Sequence, residues 1–130
     1  MKQILTIAML LFILIFSSAS YVKWTKVVEL EKGISFYIDF ENIKKVGSFI
    51  FWWDLTDYLK PTQYGHLSAK LYRQGDCKTF RYKFLRFYFY KEQMGTGIGK
   101  VEEPEEKGWQ YPHPNSAQTV IPKSVCDYHN

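Results

Sequence analysis

The sequence predicts a small, mainly β domain of antiparallel strands followed by a short C-terminal helix. Three observations carry this. Phe, Tyr and Trp make up 18% of the residues, and with the β-branched side chains they gather in short runs of strand-like composition. Turn signals separate these runs at short intervals. Only near the end does the chain offer a helix start, with Ser116 placed to cap the segment beginning "AQTV".

The first strand is "WTKVVEL" (Trp24–Leu30), and "EKG" turns the chain. "ISFYIDF" (Ile34–Phe40) alternates: Ile34, Phe36, Ile38 and Phe40 face one side, Ser35, Tyr37 and Asp39 the other. That is the pattern of a half-buried strand. "ENIKKVG" is a polar connection. "SFIFWWDLTDY" (Ser48–Tyr58) is apolar on both faces at its centre, which predicts a central place in the sheet. After the loop "LKPTQYGH", "LSAKLYRQ" (Leu67–Gln74) is the fourth strand, "GD" a turn, and Asp76 to Lys91 the fifth. "EQMGTGIGK" reads as a glycine-rich loop and "VEEPEEKG" as a solvated one. "WQYPHPN" is extended, because each Pro pushes the residue before it out of helical space. Pro122 falls inside the last segment and predicts a break or a fresh helical start there.

The fifth strand, "DCKTFRYKFLRFYFYK", interleaves basic and aromatic residues. Its odd positions run Thr79, Arg81, Lys83, then Leu85, Phe87, Phe89. Its even positions run Phe80, Tyr82, Phe84, then Arg86, Tyr88, Tyr90. Each face changes character near Phe84–Arg86, which a straight strand with one wet face cannot do. A β-bulge near Leu85 would restore one core face; a long strand whose halves meet different neighbours is the alternative. Arg81 and Lys83 share a side, with Phe80, Tyr82 and Phe84 opposite. Stacking rings and phosphate-binding charges would then point apart, which argues against a single-strand nucleic-acid platform. The aromatic side is expected to be core and the basic side solvated. Arg81, Lys83 and Arg86 are the candidate contact surface.

The N-terminus opens with Lys2, an apolar run from Ile4 to Phe16 broken only by Thr6, and the small residues Ser18-Ala19-Ser20. This is the layout of a secretory signal peptide over residues 1–20, leaving a domain over 21–130. An uncleaved anchor is the alternative, but the run is shorter than the ~20 residues that span a bilayer. No membrane span is then expected after cleavage, and nucleic acid is further disfavoured as a partner. Without Lys2 the balance is 16 basic to 13 acidic side chains, too mild an excess to imply an anionic partner by itself. Cys77 and Cys126 allow one intramolecular disulfide in an oxidising compartment; two buried thiols are the alternative. Their spacing excludes a CxxC redox pair, and no further zinc ligands accompany them.

No residue cluster spells out a reaction. "GTGIG" (Gly95–Gly99) lacks the G-x-G-x-x-G pattern, and no clear helix follows it, so it reads as turn chemistry. His66, His113 and His129 show no ligand spacing, so no metal or other cofactor is implied. Asp39, Asp54 and Asp57 are strand or strand-end carboxylates without a nucleophile motif. No catalytic residue is assigned.

An ordered series of landmarks runs through the chain. It comprises Trp24, "YID" (Tyr37–Asp39), Ile43, Gly47, "WDLTDY" (Trp53–Tyr58), Ser68, Lys70, and "DCK" (Asp76–Lys78). It continues with Arg81, Leu85, "MGTG" (Met94–Gly97), Trp109, "PNS" (Pro114–Ser116) and "VC" (Val125–Cys126). In this order the chain resembles the bacterial surface-adhesin protein E family over essentially its whole exported part. The resemblance implies an α+β, mainly β fold: a single antiparallel sheet of about five to six strands, with a C-terminal helix tied back by a Cys77–Cys126 bond. It also implies a non-catalytic exported protein, in the periplasm, on the outer surface or outside the cell, that binds an extracellular or surface protein. A periplasmic structural or stress-related module is one alternative, and a small ligand carrier or hydrolase another.

Overall fold

Each strand forms where side chains alternate between an apolar and a wetter environment, and each ends where a turn removes that alternation. The computed structural model describes residues 22–128. The expected signal peptide over residues 1–20 and His129 lie outside the described residues. Among the described residues seven strands form one antiparallel sheet: β1 (Thr25–Glu29), β2 (Ile34–Ile38), β3 (Lys44–Val46), β4 (Phe49–Tyr58), β5 (Ser68–Asp76), β6 (Arg81–Tyr90) and β7 (Lys100–Glu102). The order is β1-β2-β4-β5-β6-β7. β3 pairs with Phe49–Phe51 of β4, while β2 pairs with Asp54–Tyr58, so β2 and β3 lie end to end along one side of β4. The helix α1 (Ala117–Tyr128) follows the strands.

The five expected strands are all present, with β4 central. The sheet gains β3 and β7, three residues each and exposed throughout. Neither carries an alternating pattern, because neither has a buried face to encode. The second expected strand stops at Ile38, and Phe40–Asn42 form a 3-10 turn instead.

The expected bulge is present. Tyr72 pairs with Arg86 and Arg73 with Phe84, leaving Leu85 as the extra residue. Beyond it Phe87 and Phe89 join the face of Tyr82 and Phe84, and Arg86 and Tyr88 join that of Arg81 and Lys83. The expected start of the strand at Asp76 is corrected. Asp76 ends β5, residues 77–80 form a turn, and Phe80 sits in that turn with φ 50° rather than on a strand face. The cause is Asp76 itself. Its carboxylate accepts from the Thr79 hydroxyl at 2.8 Å and the Lys78 N–H at 3.1 Å, a local arrangement that competes with extended pairing.

One sheet face carries the core. Phe36, Ile38, Ile50, Trp52 and Tyr82 pack with Ile121 and Val125 of α1. Trp52 is fully buried against bare backbone: a Cβ on Gly75 would stand 2.6 Å from its ring. Beside it lies a polar knot. Arg73 donates to both oxygens of Asp54, at 2.7 and 2.8 Å, and to Gln118 of α1 at 2.7 Å. Trp52 Nε1 donates to the same carboxylate at 2.9 Å. Burial pushes the Asp54 carboxyl up, against the pull of the Arg73 charge and these hydrogen bonds.

The helix is continuous through Pro122, against the expected break. Ile121, Pro122, Val125 and Cys126 are its buried residues, and Cys126 is disulfide-bonded to Cys77, with Cα atoms 5.7 Å apart. Packing and the covalent tie hold the segment helical where local propensity would not. Ser116 stands immediately before α1 as expected, but its hydroxyl donates to the His113 carbonyl.

A candidate contact face of aromatic and basic residues

The sheet face opposite the core is built by the same alternation. Register places Trp53 beside Tyr72, Lys70 beside Tyr88, and Tyr72 beside Arg86. Trp53 and Tyr72 stack with ring centroids 4.7 Å apart, and Tyr88 tilts against Trp53 at 5.7 Å. Such cross-strand aromatic pairs fix one another's orientation.

At one end of this face stand the sequence-predicted contact residues Arg81 and Lys83. Both lie over the indole of Trp109, at 4.3 and 4.7 Å from its centroid. Trp109 reaches them through backbone pairing: Gln110 and Tyr82 exchange hydrogen bonds of 2.7 and 2.9 Å. Since Tyr82 faces the core, the residue before Gln110 faces the open side. Phe49 stacks on the same indole at 5.7 Å. Arg81 also touches Asp76 at 3.3 Å. Arg86 is exposed and sits farther along the strand beside Tyr72.

This geometry corrects one sequence inference. Within β6 the rings of Tyr82 and Phe84 do point away from Arg81 and Lys83. Rings from β4, β5 and residue 109 nevertheless share the basic side, so charge and aromatic surface coincide there.

At the other end of the face lies a cavity of about 480 Å³. Its walls include Trp24, Trp53, Tyr72 and Tyr88; its polar groups include Asp39, Asn42, Lys44 and Lys70. Lys70 extends over the rings of Trp24 and Tyr90, at 5.9 and 5.1 Å. Its stem is pressed by the turn at Gln93–Gly95, where Gly95 has φ 63° and an added Cβ would meet Lys70 Cε at 2.6 Å. That turn is pinned by the Met94 N–H to Asp57 at 2.7 Å and the Gly95 N–H to the Ser68 hydroxyl at 2.9 Å. Gly95 of "GTGIG" therefore serves both the turn and this close packing.

The comparisons with known proteins decide the family. The family model for surface-adhesin protein E matches residues 24–127. The chain belongs to the surface-adhesin protein E family. No curated protein matches the sequence significantly. Among solved structures, crystal form II of Haemophilus influenzae protein E is similar at 18% identity, over 87% of this chain and 94% of that one, with a TM-score of 0.58. The structure titled Haemophilus influenzae protein E matches at 16% identity, over 85% and 88%, with a TM-score of 0.59. At these identities the likeness is one of fold.

In this adhesin E-family chain, Trp24, Asp39, Trp53 and Lys70, four of the landmarks of the resemblance, line one cavity. Sequence reasoning did not bring them together. Alternation within "FWWD" and "AKLYR" could have put Trp53, Lys70 and Tyr72 on one side, but the arrival of Trp24 and Trp109 depends on the tertiary path. The three aspartates have separate fates. Asp54 pairs with Arg73, Asp57 holds the Met94 N–H, and Asp39 lines the cavity. His66 stacks on Phe89 at 5.0 Å. Among the described residues no group of three or more His, Cys, Asp or Glu side chains could hold a metal, and no helix is long and apolar enough to cross a membrane.

Proposed function

We propose that this chain is an exported, non-catalytic, adhesin-like domain that binds an extracellular or surface protein through the open face of its sheet. Arg81 and Lys83 form the centre of the contact and Arg86 its flank. The observation that carries the reading is the pair of cations held over Trp109 on a face that α1 does not cover. Cation–π contact fixes otherwise mobile side chains at about 0.5–1 kcal/mol each at exposed sites. Aromatic and Arg side chains so arranged supply area and charge together, the composition enriched at protein-binding patches. Family membership supports export, and the signal-like residues 1–20 support passage through the secretory route.

Antibody against the folded domain tests this on intact cells of the native organism. Surface labelling, together with loss of adherence when the gene is deleted, is the expected result. Labelling only after the outer envelope is opened would instead make the protein a periplasmic structural module.

A further inference from the structure

We propose that the cavity beside Asp39 is a binding site for an acidic sugar, either free or at the end of a glycan. The volume, about 480 Å³, is that of a small-molecule site. Three features of its lining select the ligand. The first is Asp39, only 3% exposed. Its Oδ2 accepts from Asn42 at 2.8 Å, while its buried Oδ1 accepts from no group among the described residues. A buried carboxylate oxygen without a donor is costly, so the site favours a ligand that brings a hydrogen-bond donor.

The second feature is charge. Lys44 and Lys70 line the same cavity as Asp39, leaving it one positive charge in excess. The Lys70 ammonium already stands over Trp24 and Tyr90, where a cationic ligand would otherwise sit. The donor is therefore a hydroxyl rather than an ammonium or guanidinium, and the ligand carries a negative charge of its own. The third feature is the aromatic wall of Trp53, Tyr72 and Tyr88, which takes an apolar C–H face. Hydroxyls, one carboxylate and an apolar face coexist on a uronic-acid-type ring. A planar aromatic acid without a hydroxyl would satisfy the rings and lysines but leave Asp39 Oδ1 without a donor.

The site is separate from the cations over Trp109 and stands whether or not that end of the face binds protein. The test is calorimetric titration of the protein as exported by its cell, with glucuronate, glucose, a glucuronate-terminated oligosaccharide, tetramethylammonium and AMP as probes. Glucuronate binds at least tenfold more tightly than glucose. Tighter binding of the oligosaccharide identifies a glycan as the source, and equal binding a free sugar. Tyr88→Ala weakens glucuronate about tenfold, and Lys44→Ser with Lys70→Met removes the preference over glucose, both with retained cooperative melting. Arg81→Ser/Lys83→Ser binds glucuronate like the parent. Preference for tetramethylammonium or AMP overturns the assignment. So does indifference between glucuronate and glucose, or no saccharide binding up to about 10 mM. If the cavity variants fail to melt cooperatively, the parent's ranking of the five probes still decides.

Discussion

At Asp54 and Arg73 a charge pair is sealed in the core, with side chains 0% and 1% exposed. Such a pair adds little net stability over an apolar replacement, but breaking it leaves a buried charge without a partner. Arg73 also stacks on Tyr82 and Phe84, at 5.0 and 4.6 Å, and reaches α1 through Gln118. Arg73→Met should therefore cost about 3–5 kcal/mol in chemical denaturation. Combined with Asp54→Asn it should cost less than the sum of the single changes, because the two groups share one interaction.

Asp76 gives the pH counterpart. The Thr79 hydroxyl, with the backbone N–H groups of Thr79 and Lys78 and the Arg81 guanidinium, holds its carboxyl below the ordinary value of 3.8 despite some desolvation. The folded state thus favours the ionised form. Its stabilising contribution is complete above that ordinary value and is lost as pH falls through the lowered folded one. Melting followed from about pH 5 to pH 2 should fall less steeply in Asp76→Asn than in the parent.

Among the elements, α1 shows how far local rules reach. Its start after Ser116 was legible, but its continuity past Pro122 was not. The deciding forces are Ile121 and Val125 in the core and the bond from Cys126, and all of these involve residues distant in sequence. The opposite holds for β6, where a change of face in the residue pattern pointed to an irregularity near Leu85 from local information alone, and the pairing register decides for a bulge over two differently packed halves. Short β3 and β7 left no trace because both are exposed. The disulfide joins residues 49 apart. Cys77→Ser should lower stability by roughly 2–5 kcal/mol, as for comparable bonds in small exported domains. The same loss should follow reduction of the parent; equal melting with and without reductant would deny the bond a stabilising role.

In the whole molecule the sheet divides its labour. One face is occupied by the core and α1; the other is the face proposed for contact. The candidate site was half legible: Arg81, Lys83 and Arg86 were readable as one basic side once a bulge was allowed. The aromatic partners that make that side a defined surface arrive from β4, β5 and residue 109, and no local pattern announces them. Long-range placement, not composition, turns a solvated edge into a candidate binding face.

On our proposal this open face makes the contact. Its most direct measurement is the binding of the exported protein to host-cell layers across a range of salt, comparing the parent, Arg81→Ser/Lys83→Ser/Arg86→Ser, and Lys123→Ser on the exposed side of α1. The three open-face changes should keep melting cooperative and cost no more than about 1–2 kcal/mol, the worth of two exposed cation–π contacts. They should weaken binding and flatten its salt dependence, since the charges removed are the ones that salt screens. Lys123→Ser should bind like the parent. Full binding by the open-face variant, with loss in Lys123→Ser, would move the contact to the helix side.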